Sequence, residues 1–167
     1  MSLKRDHNII GIMLVAGVGM LAFYRGAKKV EQVILPNNQV DTMARTAWGE
    51  ARGEGATGMQ AVLNVIMNRV KKGGWWGATP AEVCKKKSQF SCWNASDPNY
   101  AKLLAVNDND ESFRSAKMLA ESAYAGTLPD ITGGATNYVN LSALKSVPSW
   151  VKNMTKTAQI GNHTFYV

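Results

Sequence analysis

Residues 47–70 read AWGEARGEGATGMQAVLNVIMNRV, and this stretch decides the fold. Its second half repeats apolar residues at the spacing of one helix face, namely Met59, Val62, Leu63, Ile66, Met67 and Val70. That spacing predicts an amphipathic helix packed in a core, and Gly73-Gly74 predicts where the helix ends. The first half predicts a break, because three glycines fall within residues 49–55 and glycine weakens a helix that runs through it.

Further helices are predicted on both sides of this stretch. Asp41 is placed to cap a helix that leads into it. Thr79-Pro80-Ala81-Glu82 has the pattern of a capping box with proline at the first helical position. Asp97-Pro98 predicts the start of another helix, with Leu103 and Leu104 directed inward. A longer helix is predicted to begin near Asp110 and to carry Phe113, Ala116, Ala120, Ala123 and Tyr124.

The pattern changes after Gly133-Gly134, where short β-type segments replace the helical spacing. Residues 135–139 predict a short strand. Residues 157–160 and 163–166 predict two more strands, and the Gly161-Asn162 sequence between them is typical of a tight hairpin turn. The sequence therefore predicts a mainly α domain with a small antiparallel β-sheet late in the chain.

An uncharged run, IIGIMLVAGVGMLAFY, occupies residues 9–24 and has basic residues on both sides. It is shorter and richer in glycine and alanine than a stable transmembrane helix, and it lacks the small-residue cleavage site of a removed signal peptide. We therefore expect a weakly hydrophobic, uncleaved N-terminal membrane anchor helix. Because Pro36-Asn37-Asn38 predicts a break, we expect an anchor and linker over residues 1–35 and a folded domain over residues 36–167.

The chain carries a formal net charge of +7 over its 167 residues. A basic surface suits nucleic acid, anionic lipid or another anionic polymer. No nucleic-acid-binding motif of the usual kinds is present, so we expect no nucleic-acid partner. Because His7 and His163 are the only histidines, no zinc-ligand set can be assembled. We predict neither a metal nor a cofactor.

Glu50 has the sequence surroundings that glycoside cleavage requires of an acid. Such an acid must stay protonated near neutral pH, and apolar neighbours favour the protonated form. Glu50 follows an apolar face made of Met43, Ala44, Ala47 and Trp48. The alternative is an ordinary exposed glutamate at a frayed helix end. A two-carboxylate hydrolase would also need a partner, for which Glu54 and Asp97 are the candidates.

Two cysteines, Cys84 and Cys92, lie close together in one segment. In an oxidising compartment they could form a disulfide, and in a reducing one they would stay thiols. A thiol peptidase would instead combine one of them with His163. Of these alternatives, we favour a disulfide or a buried pair.

Four blocks of the sequence, taken in order, resemble a known family. They are residues 47–55 continued by 58–62 and 68–70, then QFSCW at 89–93, ATNY at 135–138 and IGNHTFY at 160–166. Together they span nearly all of residues 41–167 and resemble the cell-wall hydrolase family of the spore-cortex-lytic germination enzymes. The resemblance implies a lysozyme-like, mostly helical fold with a small sheet. It also implies cleavage of the bond between N-acetylmuramic acid and N-acetylglucosamine in peptidoglycan.

The resemblance further implies roles for single residues. Glu50, the first glutamate of the Gly-Glu-Ala-Arg-Gly-Glu block, would be the catalytic acid, and Gln89, Ser91 and Tyr138 would contact the glycan strand. Asn137 departs from the family, which often has histidine there, so no role is carried over to it. Whether the reaction is that of a muramidase or of a lytic transglycosylase stays open, and the family favours the latter.

A short anchor in front of a small peptidoglycan-cleaving domain resembles the signal-anchor-release endolysins of bacteriophages. That resemblance implies a monomer held on the host inner membrane facing the periplasm, inactive until released, which then degrades host peptidoglycan and lyses the cell. Two other functions fit the same chain. They are a Cys–His peptidase acting on wall peptides and a membrane-anchored wall-binding module without activity.

Overall fold

The computed structural model describes residues 38–167. In that range five α-helices come first: α1 (Asn38–Ala51), α2 (Gly55–Lys72), α3 (Pro80–Lys85), α4 (Tyr100–Ala105) and α5 (Glu111–Tyr124). Three strands follow: β1 (Asn137–Val139), β2 (Lys156–Ile160) and β3 (His163–Tyr166). The prediction of a mainly α domain with a small late sheet is confirmed.

The predicted anchor at residues 9–24 and the predicted boundary near Pro36 lie outside the described residues and stay predictions. Among residues 38–167, no helix combines the length and the apolar character needed to cross a membrane.

The chain breaks between α1 and α2, as its glycines predict. Residues Arg52–Glu54 form a 3-10 turn, and Gly55 then starts α2 with a φ of +69°, a conformation that glycine adopts at little cost. The predicted apolar face of α2 is confirmed: Met59, Val62, Leu63 and Ile66 are buried, and Met67 and Val70 pack at its edge. The helix ends at Gly73, as predicted.

Two helix caps agree with the predictions. Asp110 caps α5 by accepting the Phe113 N–H at 2.8 Å. Thr79 caps α3 by accepting the Glu82 N–H at 3.3 Å. The Glu82 carboxylate accepts the N–H of Ala78 at 2.8 Å, so it reaches one residue further back than in a standard capping box.

Two predicted positions are wrong. Asp41 is not a cap, since α1 already includes Asn38 and the Asp41 carboxylate is paired with an arginine one turn later. Leu103 is buried as predicted, but Leu104 is 53% exposed, because neighbouring residues on a helix point about 100° apart.

The sheet has the order β1-β3-β2, and both pairs are antiparallel. The hairpin between β2 and β3 turns at Gly161-Asn162, as predicted. β1 begins at Asn137, two residues later than expected, because Ala135 is instead buried in a small core with Ala61, Val65 and Phe165. Since Ala61 and Val65 belong to α2, this core holds the sheet against α2.

A larger core joins α1, α2 and α5 and fixes the helix that carries Glu50. Its buried residues from α1 include Met43, Ala44 and Ala47. Trp48 is buried beside them, and its indole N–H donates to Asp110 at 3.2 Å, which ties α1 to the cap of α5. The last turn of α1 therefore has a fixed position next to the sheet.

One charged side chain is buried next to this core. Arg69 of α2 is 5% exposed, and its guanidinium lies 4.4 Å from the ring centre of Trp76 and 5.0 Å from that of Phe90. Its Nε donates to the Thr136 carbonyl at 2.8 Å. Burial lowers the pKa of Arg69 to about 10. Arg69 thereby joins α2 to the residues that precede β1 and to the QFSCW block.

Candidate active site

Glu50 lies in the last turn of α1, one residue before the helix ends, and it is half-buried. One carboxylate oxygen accepts the Tyr138 hydroxyl at 3.0 Å. The other accepts the backbone N–H of Cys92 at 3.3 Å. Three distant segments of the chain therefore meet at this carboxylate and fix its orientation, while its partial exposure leaves it open to a substrate.

Tyr138 is held by its neighbours in the sheet. It lies opposite Phe165 in the β1–β3 register, and the two rings stack with centres 5.6 Å apart. The His163 ring meets it edge-on at 5.1 Å. Burial first, and the neighbouring Glu50 charge second, raise the pKa of the Tyr138 hydroxyl well above its ordinary value. Tyr138 therefore stays protonated near neutral pH and can donate to Glu50.

Glycine at position 49 allows the QFSCW block to approach Glu50. A Cβ at this position would lie 2.9 Å from both Cys92 Cβ and Leu103 Cδ1, which is well inside the normal separation of non-bonded carbons. Trp93 also holds the block, since its indole N–H donates to the Thr46 hydroxyl of α1 at 2.9 Å. Helix α1 thus carries both the carboxylate and the attachment points of the segment that donates to it.

The residues predicted to contact the glycan fall in different places. Tyr138 contacts Glu50 directly. Ser91 is exposed and begins the 3-10 turn that contains Cys92. Gln89 is half-buried in the turn before it. Ser91 and Gln89 therefore lie on the segment that reaches Glu50, and the contact itself comes from the Cys92 backbone, which sequence reasoning did not identify.

Cys84 and Cys92 are free and buried, so the disulfide considered from the sequence is not formed. Burial raises the pKa of Cys84 to about 12 and also raises the pKa of Cys92. Buried, protonated thiols are poor nucleophiles, so the site does not favour a Cys–His peptidase.

Neither candidate for a second carboxylate is directed at Glu50. Glu54 lies past the end of α1, and its carboxylate accepts the Asn162 N–H at 3.1 Å and lies 2.9 Å from His163 Nδ1. Asp97 accepts the Asn99 N–H at 2.8 Å, and this bond lowers the pKa of Asp97. Glu50 and Glu54 do not share a helix face, because the helix breaks between the two residues, as the glycines predict.

The contact between Glu54 and His163 was also not predicted from the sequence. Glu54 was considered only as a second catalytic carboxylate, and His163 only as the partner of a thiol. One signal was present. His163 and Phe165 alternate along a predicted strand, so they share a face of the sheet, and Tyr138 is on the neighbouring strand. What the sequence could not show is that the hairpin lies against the α1–α2 break.

Two other kinds of site, a metal site and a surface cleft, were considered among the described residues. Among residues 38–167, no group of three or more His, Cys, Asp or Glu side chains is arranged to hold a metal ion. A shallow cleft of about 400 Å³ lies beside the hairpin, lined mainly by polar residues of β2, β3 and their turn. Its lining contains no carboxyl group.

Comparison with known proteins agrees with this geometry. The family model of the cell wall hydrolases matches residues 53–166. The chain is similar to the catalytic domain of the germination-specific lytic transglycosylase SleB from Bacillus anthracis, with 26% identity and a TM-score of 0.61 over 80% of this chain and 98% of that one. It is also similar to the catalytic domain of the SleB protein from Bacillus cereus, with 27% identity and a TM-score of 0.61 over 79% and 94% of the two chains.

No curated protein sequence matches the chain significantly. The family model nevertheless spans well over half of the chain. It begins three residues after Glu50, so the position of Glu50 in the site comes from the geometry described above. The matched region contains Tyr138, Glu54 and His163, the side chains that surround the α1–α2 break. By this match, the chain belongs to the cell wall hydrolase family of enzymes.

Proposed function

We propose that the chain cleaves the β-1,4 bond between N-acetylmuramic acid and N-acetylglucosamine in peptidoglycan, with Glu50 as the acid/base. The observation that carries the proposal is the Glu50 carboxylate, held between the Tyr138 hydroxyl and the Cys92 N–H at the end of α1. Glycoside cleavage needs a carboxyl group fixed within reach of the leaving oxygen. Membership of the cell wall hydrolase family supports the choice of substrate.

Glu50 would act twice in one turnover. It first donates its proton to the oxygen that links the two sugars, and the bond between that oxygen and C1 of N-acetylmuramic acid breaks. The resulting carboxylate then takes the proton of the 6-hydroxyl on the same sugar while that hydroxyl oxygen bonds to C1. The product is a 1,6-anhydro end, and Glu50 is protonated again, so a single carboxyl completes the cycle without water as a reactant.

Two observations favour this lytic transglycosylase reaction over hydrolysis. A two-carboxylate glycosidase needs a base or nucleophile beside the acid, and both Glu54 and Asp97 are engaged by other groups. In addition, the Bacillus anthracis protein to which the chain is similar is a lytic transglycosylase. Hydrolysis would instead require a water molecule activated by a group outside this set.

We assign the glycan contacts to the segment around the acid. Ser91 is exposed next to the Cys92 N–H that binds Glu50, so its hydroxyl is placed to bond a sugar hydroxyl near the scissile bond. Gln89 would contact a sugar further along the strand. Tyr138 would touch the sugar while its hydroxyl orients Glu50. We expect the enzyme to act as a monomer, because one chain supplies all of these groups.

The biological role that we propose is host-cell lysis by a signal-anchor-release endolysin. The support is the weakly apolar run at residues 9–24 with basic residues on both sides. Such a segment would hold the enzyme on the inner membrane facing the periplasm and then release it. Because residues 9–24 contain no cysteine, tethering itself, and not thiol exchange with the anchor, would restrain activity. Activation of the tethered form by a reducing agent, with no effect on the released form, would contradict this.

The enzymatic proposal is tested by product analysis. The full-length chain in mild detergent is incubated with purified peptidoglycan, and the released fragments are identified by mass spectrometry. Glu50→Gln serves as the matched variant, since it keeps the shape of the side chain but removes its acid. Fragments with 1,6-anhydro ends that the variant does not release are the expected result.

Three other outcomes have defined meanings. Reducing muramic acid ends would identify a hydrolase and direct attention to a second base. Cut peptides on intact glycan would identify a peptidase, and binding without any release would identify a wall-binding module. Either of the last two results would overturn the proposed function.

A further inference from the structure

We propose that Glu54 and His163 are a positioning pair, which holds Tyr138, and through it Glu50, in the orientation needed for catalysis. Neither residue contacts Glu50, so both would act through Tyr138. The inference rests on the proposed role of Glu50 and adds two residues to the machinery of the same site.

The pair is a partly buried contact and not a fully exposed surface ion pair. The side chains of Glu54 and His163 are 14% and 16% exposed, and Glu54 Oε2 lies 2.9 Å from His163 Nδ1. The second oxygen of Glu54 accepts the Asn162 N–H at 3.1 Å. Exposed ion pairs contribute little to stability because water and salt screen them. Here, both oxygens of the partly buried Glu54 carboxylate contact residues of the β2–β3 hairpin.

The hairpin turn fits closely over this carboxylate. Gly161 has a φ of +54°, and a Cβ at this position would lie 2.9 Å from Glu54 Cδ. A side chain there would force either the turn or the Glu54 carboxylate to shift. Glycine therefore serves two needs at Gly161, because it permits the turn conformation and allows the hairpin to approach Glu54 closely.

His163, which contacts Glu54, also packs against Tyr138. The two rings meet edge-to-face with centres 5.1 Å apart and planes at 88°, a geometry that aromatic pairs prefer. Phe165, two residues along β3, stacks on Tyr138 at 5.6 Å. The Tyr138 ring is therefore confined by two residues of β3, and its hydroxyl reaches Glu50 at 3.0 Å.

The sheet is thus attached twice to the segment where α1 ends. Glu50, just before the break, is bonded to β1 through Tyr138, and Glu54, just after it, is bonded to the hairpin through His163. These attachments are four residues apart in sequence. If the second one is lost, the small core still holds the sheet against α2, but the hairpin is held less firmly at the break and the Tyr138 ring loses the support of His163. A displacement of about 1 Å at a catalytic group can reduce turnover about 100-fold.

The test measures kcat and KM on soluble, peptide-free glycan strands for the full-length chain in mild detergent. The His163→Ala variant removes both the hydrogen bond and the ring. His163→Phe keeps a ring against Tyr138 but loses the bond, and Glu54→Gln keeps an acceptor oxygen but loses the charge. Asp108→Asn is the matched control, because it disrupts the exposed ion pair with Lys117, a pair that has no contact with the site.

We expect His163→Ala to lower kcat about 100-fold and to change KM less than about threefold, since Tyr138 and Glu50 would be misplaced while the glycan contacts remain. His163→Phe and Glu54→Gln should each recover part of kcat, and the control should match the wild type. Unchanged kcat in His163→Ala would overturn the inference. So would a rise in KM equal to the loss in kcat, or a loss that merely follows the unfolded fraction measured by thermal unfolding.

The experiment also separates this inference from the proposed function. If the wild type and Glu50→Gln release glycan fragments equally, the role of Glu50 is wrong and the positioning pair is wrong with it. If Glu50→Gln is inactive and the His163 and Glu54 variants keep wild-type kcat, the proposed function stands and only the positioning pair is wrong. If His163→Ala does not fold, Glu54→Gln and His163→Phe provide the same comparison.

Discussion

Replacing Tyr138 with phenylalanine would remove one hydroxyl and leave the ring packed against His163 and Phe165. That hydroxyl donates to the Glu50 carboxylate at 3.0 Å, and hydrogen bonds to charged groups contribute about 1.5–3 kcal/mol to stability. Because Glu50 is half-buried, water can replace part of the bond, so we expect a loss of about 1–1.5 kcal/mol in the free energy of unfolding. For a domain of this size, the melting temperature should fall by about 3–6 °C.

The effect on turnover should be larger than the effect on stability would suggest. Without the hydroxyl, the only described hydrogen bond that still fixes the Glu50 carboxylate comes from the Cys92 N–H. A factor of ten in rate corresponds to about 1.4 kcal/mol, so losing the full strength of a hydrogen bond to a charged group, about 1.5–3 kcal/mol, predicts a fall in kcat of about 10- to 100-fold. KM should change less, because the lost bond joins two groups of the enzyme itself.

The assay compares initial rates of fragment release from soluble glycan strands, together with thermal unfolding of the same preparations. Tyr124→Phe is the matched control, since it removes the hydroxyl of a tyrosine that is 46% exposed at the end of α5. The control should match the wild type in both measurements. A Tyr138→Phe protein with wild-type kcat would refute the reasoning, because it would show that the Tyr138 hydroxyl does not orient the acid.

Three further predictions follow from packing and from the buried thiols. Gly49→Ala should destabilise the domain by about 1–3 kcal/mol and lower activity, because its Cβ would lie 2.9 Å from Cys92 Cβ. Gly53→Ala is the control, since position 53 has open space around it, and chemical denaturation measures the stability of both variants. The pKa of the Cys84 thiol is about 9.0 in the unfolded chain and about 12 in the folded one, so the free energy of unfolding should fall by about 1.4 kcal/mol per pH unit above pH 9. Thermal unfolding between pH 7 and 10 should show a shallower dependence on pH for Cys84→Ala. An unchanged slope would contradict the assignment. Iodoacetamide should leave both thiols and the activity intact until the protein is unfolded, as measured by intact mass; rapid labelling with loss of activity would instead support the thiol peptidase.

Much of the fold could be predicted because the responsible signals are local. The face of α2, its end at Gly73, the cap at Asp110 and the hairpin at Gly161-Asn162 each depend on residues within one or two turns of chain. The errors have local causes too. Leu104 was assigned to the core by its apolar character alone, although a helix of six residues cannot direct two adjacent side chains to the same side.

The candidate site was only partly predictable because it is assembled from contacts distant in sequence. The resemblance to a family identified Glu50 and Tyr138, and the structure brings them to 3.0 Å. Neither composition nor spacing indicates that a backbone N–H, that of Cys92, would be the second donor. The contact between Glu54 and His163 was not predicted for a related reason, since it joins residues 109 positions apart in the chain.

The dependence of Glu50 on the last strand has a consequence for protein synthesis. Tyr138 owes its place to His163 and Phe165 of β3, so a nascent chain that has not yet passed residue 166 lacks the support for its acid even when α1 and α2 are already made. If Glu50 is the acid, as proposed, premature termination before β3 would yield a polypeptide that carries Glu50 but lacks the residues that hold Tyr138 against it. A ribosome that synthesises this cell wall hydrolase would release no active enzyme until translation of the strand is complete.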